Sequence, residues 1–424
     1  MFARLRLAAE PLTELRGRAL LVVVGCFVCQ MGLGMGYVLS PLAGPMIDEL
    51  GMTRADYGLA RATQTGAVAL ASPFVGMACV RYGARAVLTA AVLLLSASMA
   101  AMAAMDSFLH YCLLSVVFGI GTAGVGDITV GAVVAEWVRR ARGLALGVVY
   151  TGSNVAGAVA SPLAVHLAAG GGWRQALLAV AGAALVLLLP FASLAIRPAP
   201  PERTLEPKAA EGPAGPSPPR AAGTDLDLRQ ALRTRSFWAL AFALFCVWFY
   251  FLAMMSHLVL FLEDAGLSRA HATGYFSAAV LLGLVSKVGA GAVADRMRPR
   301  TAMLANTGLM ALSSLLVLLL PRPGLLELFV LSYGISVTAR DVAYPLAVAE
   351  CFGIRHLAAI YGALTVTLLP GGLFGPAFAG YVFDRTGGYA LAFACFAALN
   401  LLSLLALLAL RVERAPDSPS PRGA

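Results

Sequence analysis

Two stretches, Gly76-Met-Ala-Cys-Val-Arg-Tyr-Gly-Ala-Arg85 and Gly291-Ala-Val-Ala-Asp-Arg-Met-Arg-Pro-Arg300, decide the architecture. Each is glycine-containing, rich in arginine and set between long apolar runs. Gly76, Arg81 and Arg85 recur as Gly291, Arg296 and Arg300 at one constant offset. Asp127, Glu136 and Pro162 recur as Asp341, Glu350 and Pro376 at an offset one residue shorter. Order and direction are kept, so the chain reads as two parallel repeats related by an axis along a membrane normal. A substrate site is then expected near mid-membrane, between the repeats.

The composition outside these loops requires a membrane. Apolar residues make up 59% and charged residues 12% of the 424, too little charge to cover a water-soluble surface of this size. Apolar runs between breakers predict an all-α membrane protein of twelve transmembrane helices, two six-helix repeats. The spans fall at 19–47, 57–80, 86–104, 108–138, 143–168, 174–196, 237–262, 271–294, 301–320, 325–350, 357–383 and 388–411. The first is too long for a signal peptide's apolar region and reads as a retained helix. The net charge of +9 sits in loops, where topology explains it better than a nucleic-acid partner. Arg4, Arg6, Arg16 and Arg18, then Arg81 and Arg85, then Arg139, Arg140 and Arg142, then Arg296, Arg298 and Arg300 alternate with loops poor in basic residues. The positive-inside rule makes this set, and both termini, cytoplasmic in a bacterial inner membrane.

Eight prolines between Pro198 and Pro219 mark a linker that cannot bury a core. Thr224-Asp-Leu-Asp-Leu-Arg-Gln-Ala-Leu-Arg then reads as a short amphipathic helix. The expected division is an N-terminal half 1–197, a cytoplasmic linker 198–235, a C-terminal half 236–412 and a tail 413–424. The seven cysteines, Cys26 and Cys29 in a C-x-x-C among them, lie in or beside apolar spans and read as small core residues. No nucleotide loop, zinc spacing or haem motif occurs, so no metal, no cofactor and no enzymatic activity are expected, and transport would draw on gradients.

Charges at mid-membrane cost at least ~2.5–3.5 kcal/mol each and mark functional candidates. Only two lysines occur, Lys208 in the linker and Lys287 inside the eighth span. Counting at 1.5 Å per residue puts Lys287 about 12 Å, and Arg340 and Asp341 about 14–15 Å, from the same end of the bundle. Asp127 holds the equivalent depth in the other repeat. A fixed cation offsets the lost hydration of a carboxylate through a charge-assisted hydrogen bond. A nearby aspartate can hold that cation when substrate is absent and can carry a proton. Adjacent helical positions lie ~100° apart, so Arg340 and Asp341 cannot both point straight into one cavity. His257 is a further proton candidate, and Asn154 either donates to a carboxylate or joins helices.

The two opening stretches resemble the cytoplasmic loop motif of the major facilitator superfamily, carried here by Gly76, Arg81, Arg85, Gly291, Asp295 and Arg296, with Val80 where the first copy would be acidic. Trp137-Val-Arg-Arg-Ala-Arg-Gly-Leu-Ala-Leu-Gly147, Gly172-Trp-Arg, Ser236-Phe-Trp, His257 through Ser268 and Phe383-Asp-Arg-Thr-Gly-Gly-Tyr389 resemble the monocarboxylate transporter and oxalate/formate antiporter branch. The resemblance implies a carboxylate-binding arginine and a proton-carrying aspartate in the eighth helix. Lys287 stands at the arginine position and Gly283 at the aspartate position; Tyr37 matches a substrate-near tyrosine, and Pro41 replaces a lysine. The expected function is secondary active transport of small organic anions, proton-coupled and by alternating access, as a monomer in the lipid bilayer. Expected roles are substrate binding for Lys287, Arg340, Tyr37 and Asn154, and proton coupling for Asp341, Asp127 and His257. An oxalate/formate-type exchanger, an exporter of larger amphipathic compounds and a receptor-like sensor on the same fold remain open.

Overall fold

The computed structural model describes residues 17–138, 142–197, 226–294, 297–320, 322, 324–353 and 356–413. Most of the expected linker, both chain ends, Asp295 and Arg296 lie outside the described residues. Every regular element within them is helical. We number them α1 (Arg18–Gly34), α2 (Ala43–Leu50), α3 (Arg54–Tyr82), α4 (Ala84–Met102), α5 (Phe108–Val125), α6 (Asp127–Trp137), α7 (Arg142–Tyr150), α8 (Gly152–Pro190) and α9 (Leu228–Ala231). The second half adds α10 (Arg235–Asp264), α11 (Arg269–Ala294), α12 (Pro299–Leu316), α13 (Leu325–Phe352), α14 (Leu357–Thr365), α15 (Leu368–Thr386) and α16 (Ala390–Leu408).

Among the described residues nine helical segments are long and apolar enough to cross a bilayer. One, Ala145–Ala195, runs 51 residues, or about 77 Å of helix against ~30 Å of hydrocarbon. It is broken at Gly172, whose φ of 78° and ψ of 169° lie where only glycine sits without strain. The segment therefore crosses twice, out along one limb and back along the other. Lys287 lies on α11 and Arg340 and Asp341 on α13, two long helices outside that set of nine. Buried apolar side chains gather into one cluster drawn from residues 19–196, joined by Leu260, and two more from 231–410. α9 is one turn long, closed by a capping box in which Asp227 and Gln230 each accept from the other's backbone N–H.

Several crossings are interrupted halfway, for identifiable reasons. Pro41 has no N–H for the carbonyl of Tyr37, and the chain there tightens into a 3-10 turn over Met35–Leu39. Pro370 likewise deprives Val366, where α14 gives way to α15. Gly126 is extended between α5 and α6, so Asp127 opens a new helix. α7 and α8 meet at Thr151, just before Asn154. Interrupted helices at mid-depth free backbone groups and re-aim side chains at a central cavity. Tyr37, Asp127 and Asn154 all sit at or next to such breaks.

The halves meet along α3 and α15. A Cβ at Gly58 would strike the Pro376 carbonyl, and one at Gly380 the Arg54 carbonyl. These two glycines let the backbones cross in contact. At its other end α3 is open, with Phe74, Met77 and Val80 exposed.

Candidate functional site

The charged residues of α11 and α13 form one cluster. Lys287 Nζ lies 3.6 Å from Asp341 Oδ2. Arg340 donates to Asp341 Oδ1 from Nη2 at 2.6 Å and from Nε at 3.2 Å. The depth argument thus holds in space: one carboxylate bridges two cations. Arg340 and Asp341 do diverge as their ~100° separation requires. The side chain of Arg340 is 8% exposed, its guanidinium 3.9 Å above the ring of Trp248 on α10, whereas Asp341 is 42% exposed. Lys287 is intermediate at 18%. Arg340 Nη1 and the indole N–H of Trp248 are buried with no hydrogen-bond partner. Two spare donors beside two cations fit a ligand that brings acceptor oxygens.

The first half faces this cluster with Asp127, whose carboxylate accepts from Gln30 Nε2 at 2.5 Å and lies within the electrostatic reach of Lys287 and Asp341. The Tyr37 ring turns an edge to Gly157 and stands near-perpendicular to the Phe276 ring at 6.3 Å, and Asp341, Asp127, Arg340 and Arg61 are among its charged neighbours. Asn154 donates from Nδ2 to the Val280 carbonyl at 2.9 Å, joining α8 to α11 across the halves. One turn on, Gly283 has no room: a Cβ there would lie 2.6 Å from Asn154 Nδ2 and 2.7 Å from Thr338 Cγ2. Placing at this position the aspartate implied by the resemblance is expected to fail for that reason. Gly283→Asp should lower the amount of folded protein in the membrane about fivefold or more through overpacking of about 1–3 kcal/mol, read by size-exclusion chromatography of solubilised membranes.

His257 lies elsewhere, in a network at the Arg54 end. Arg54 binds both oxygens of Asp264, donates to Tyr389 Oη at 2.8 Å, and stacks 3.8 Å above Phe383. Asp384 accepts from the backbone N–H groups of Arg54 and Ala55 at 3.1 and 2.8 Å, capping the positive end of α3. Tyr389 in turn lies 3.0 Å from His257 Nδ1, and His257 Nε2 is 2.9 Å from the Pro376 carbonyl. Donor logic assigns the proton to Nε2, leaving Nδ1 to accept from the tyrosine. Arg54 comes from the first half and its partners from the second, so this network seals one end of the bundle.

Of the loop-motif residues, Gly76 has Ile128 at 4.0 Å from a built Cβ, and Arg81 stacks on Tyr82 at 5.1 Å. Arg85 sits in the first turn of α4. Gly291 lies in α11. Sequence reasoning passed over Arg61, a cation within α3, and the seal made by Arg54, Asp264 and Asp384. The signal for Arg61 was present, a charge inside an apolar span. The seal joins residues more than 200 positions apart, which no spacing rule connects.

A family model described as Major Facilitator Superfamily matches residues 22–367. The chain belongs to the major facilitator superfamily. It is 30% identical over 292 residues to an uncharacterized 38 kDa protein in a 23S RNA operon of Thermoproteus tenax, covering 68% of this chain and 69% of that one. It is 28% identical over 220 residues to the MFS-type transporter pytF of Aspergillus terreus, covering 51% of this chain and 67% of that one. Among solved structures it resembles a bacterial homologue of the human lysosomal transporter Spinster in an inward-facing, unoccupied conformation, with a TM-score of 0.74 and 17% identity over 95% of this chain and 100% of the other. The occupied form of that homologue gives 0.74 and 17% over 94% and 98%. At that identity the structures establish the fold. Membership makes the chain a multi-pass membrane transporter of the superfamily.

Proposed function

We propose that the protein carries small organic anions of the monocarboxylate type, coupled to protons, by alternating access. The observation that carries this reading is Asp341 bridging Lys287 and Arg340 beside unpartnered donors. A carboxylate entering the cavity finds cations already desolvated and held in place, so charge-assisted hydrogen bonds offset its lost hydration. Asp341 occupies those cations when the substrate is away. Protonating Asp341 releases them, and the arriving acid takes its place, so proton and anion move together. The resemblance to the monocarboxylate branch supports the same class of substrate. In this reading the residues 1–197 and 236–412 are the two rocking halves joined by the linker 198–235, the protein acts as a monomer in a bacterial inner membrane, and the termini are cytoplasmic. The sealed Arg54 end is then external, and the structure is closed outward.

Asp341→Asn tests the coupling. Proteoliposomes loaded with a pH-sensitive dye should show carboxylate-driven proton entry for the wild type and a loss of at least about tenfold for the variant, with exchange of labelled carboxylate retained. Proton entry of undiminished size in Asp341→Asn removes Asp341 from the mechanism. Absence of carboxylate-driven proton entry in the wild type, with exchange intact, favours the oxalate/formate-type exchanger.

A further inference from the structure

Arg61 is a charged group within the bundle that the mechanism above does not use. Among the described residues no carboxylate lies within ion-pair distance of it. Its guanidinium donates to Gln64, and its Nε–H is buried without a partner. Gln64 is itself buried and packs toward the 3-10 turn Met35–Leu39, where its amide nitrogen lies 3.3 Å from a Cβ built on Gly36. Tyr57 and Tyr111 stack beside it with ring centroids 6.1 Å apart; the Tyr57 hydroxyl donates to the Leu39 carbonyl, and the buried Tyr111 hydroxyl lies close to the Arg61 guanidinium. The site therefore holds a fixed cation with an unpartnered N–H, walled by aromatic rings.

Its place in the path is distinct from that of Lys287. Arg61 stands seven residues into α3, Lys287 eighteen into α11 and Arg340 fifteen into α13, or about 10, 27 and 22 Å below the Arg54 end at 1.5 Å per residue. Arg54 on Asp264, and Tyr275 on Glu327 at 3.0 Å, tie these helices together near the Arg54 end. The gap of about 12–17 Å is longer than a small carboxylate. Helical side chains lean toward the helix N-terminus, here the Arg54 end for all of these helices, so the gap does not close at the tips. Tyr37 lies between the two levels, within the field of Arg61 above and of Arg340 and Asp341 below. Arg61 is half-buried and lies beneath the seal.

We propose that Arg61, with Gln64 and the Tyr57–Tyr111 pair, is a second anion station that receives the carboxylate when the Arg54 end opens and passes it to Lys287 and Arg340. This rests on the carboxylate reading and adds a separate site for the same acid. A lone guanidinium directly beneath a seal that opens meets the incoming anion first. The single occupancy of each level keeps the acid small.

The test compares right-side-out with inside-out vesicles carrying wild type, Arg61→Gln, Arg61→Lys and Lys287→Ala. The probe is whichever labelled monocarboxylate among formate, acetate, lactate and pyruvate the wild type takes up fastest. Arg61→Gln should raise KM at the Arg54 face about tenfold or more, the worth of a hydrogen bond to a charged group, and change KM at the opposite face less than about twofold. Arg61→Lys should recover most of the loss; Arg61→Met carries the same comparison should Arg61→Gln not insert. An equal rise on both faces, or none on either, overturns the station. A loss confined to long dicarboxylates, with monocarboxylates unchanged, overturns it in favour of one extended dianion spanning both levels. Should Lys287→Ala leave carboxylate uptake intact, the parent reading fails on its own, whatever Arg61→Gln does.

Discussion

Proteoliposomes containing Lys287→Ala are expected to transport carboxylate with kcat/KM lowered by about tenfold to a hundredfold. A hydrogen bond to a charged group contributes about 1.5–3 kcal/mol, which converts to that range. The variant also removes half of the support that Asp341 receives, since Nζ lies 3.6 Å from one carboxylate oxygen while Arg340 holds the other. Asp341 then draws wholly on Arg340, and the substrate must compete for a single cation. Lys287→Arg should retain part of the activity, because the charge returns with a planar fork in place of a point charge. Unfolding monitored in detergent should move little, since a half-buried lysine at a cavity wall packs few neighbours. Uptake equal to the wild type in Lys287→Ala would remove the lysine from the substrate site.

Arg54→Ala is expected to shift the protein toward opening at the Arg54 end. The side chain closes bidentate on Asp264, donates to Tyr389 and stacks on Phe383, all across the interface between halves. Asp264 is 37% exposed and Arg54 16%, so water screens the pair. The bidentate geometry and the ring contact lift it to about 1–2 kcal/mol, above an ordinary surface pair. That corresponds to about a fivefold to thirtyfold change in the open-to-closed ratio. A cysteine at Ser40 reports it: Ser40 is buried and donates across the interface to the Ser256 carbonyl at 3.4 Å. Labelling of Ser40→Cys by a membrane-impermeant maleimide should rise by that factor when Arg54 is truncated. A labelling rate unchanged by Arg54→Ala would show that the seal does not hold the closed state.

Much of this arrangement could be read before any coordinates. The apolar spans, the repeat and the shared depth of Lys287, Arg340 and Asp341 follow from counting residues along helices of fixed rise. The cluster then forms because two helices running in the same direction bring similar depths together. The ~100° rule foresaw that Arg340 and Asp341 would part, but not which would face the cavity. That depends on Trp248, whose ring beneath Arg340 belongs to a different helix. His257 shows the opposite limit. A lone histidine within a span invites a proton role, yet both ring nitrogens are engaged, by Tyr389 and by a carbonyl that lies in α15. The mid-span breaks at Tyr37 and Asp127 were legible in principle from Pro41 and Gly126. Only the structure shows that Tyr37 and Asp127, beside these interruptions, lie near the C-half cations.

Equilibrium binding of labelled monocarboxylates to the purified protein tests the central claim most directly, since it needs neither a gradient nor conformational cycling. The account predicts saturable binding that weakens at least about tenfold in Lys287→Ala and strengthens as Asp341 is protonated or replaced by asparagine. Binding of equal strength in wild type, Lys287→Ala and Asp341→Asn would contradict it.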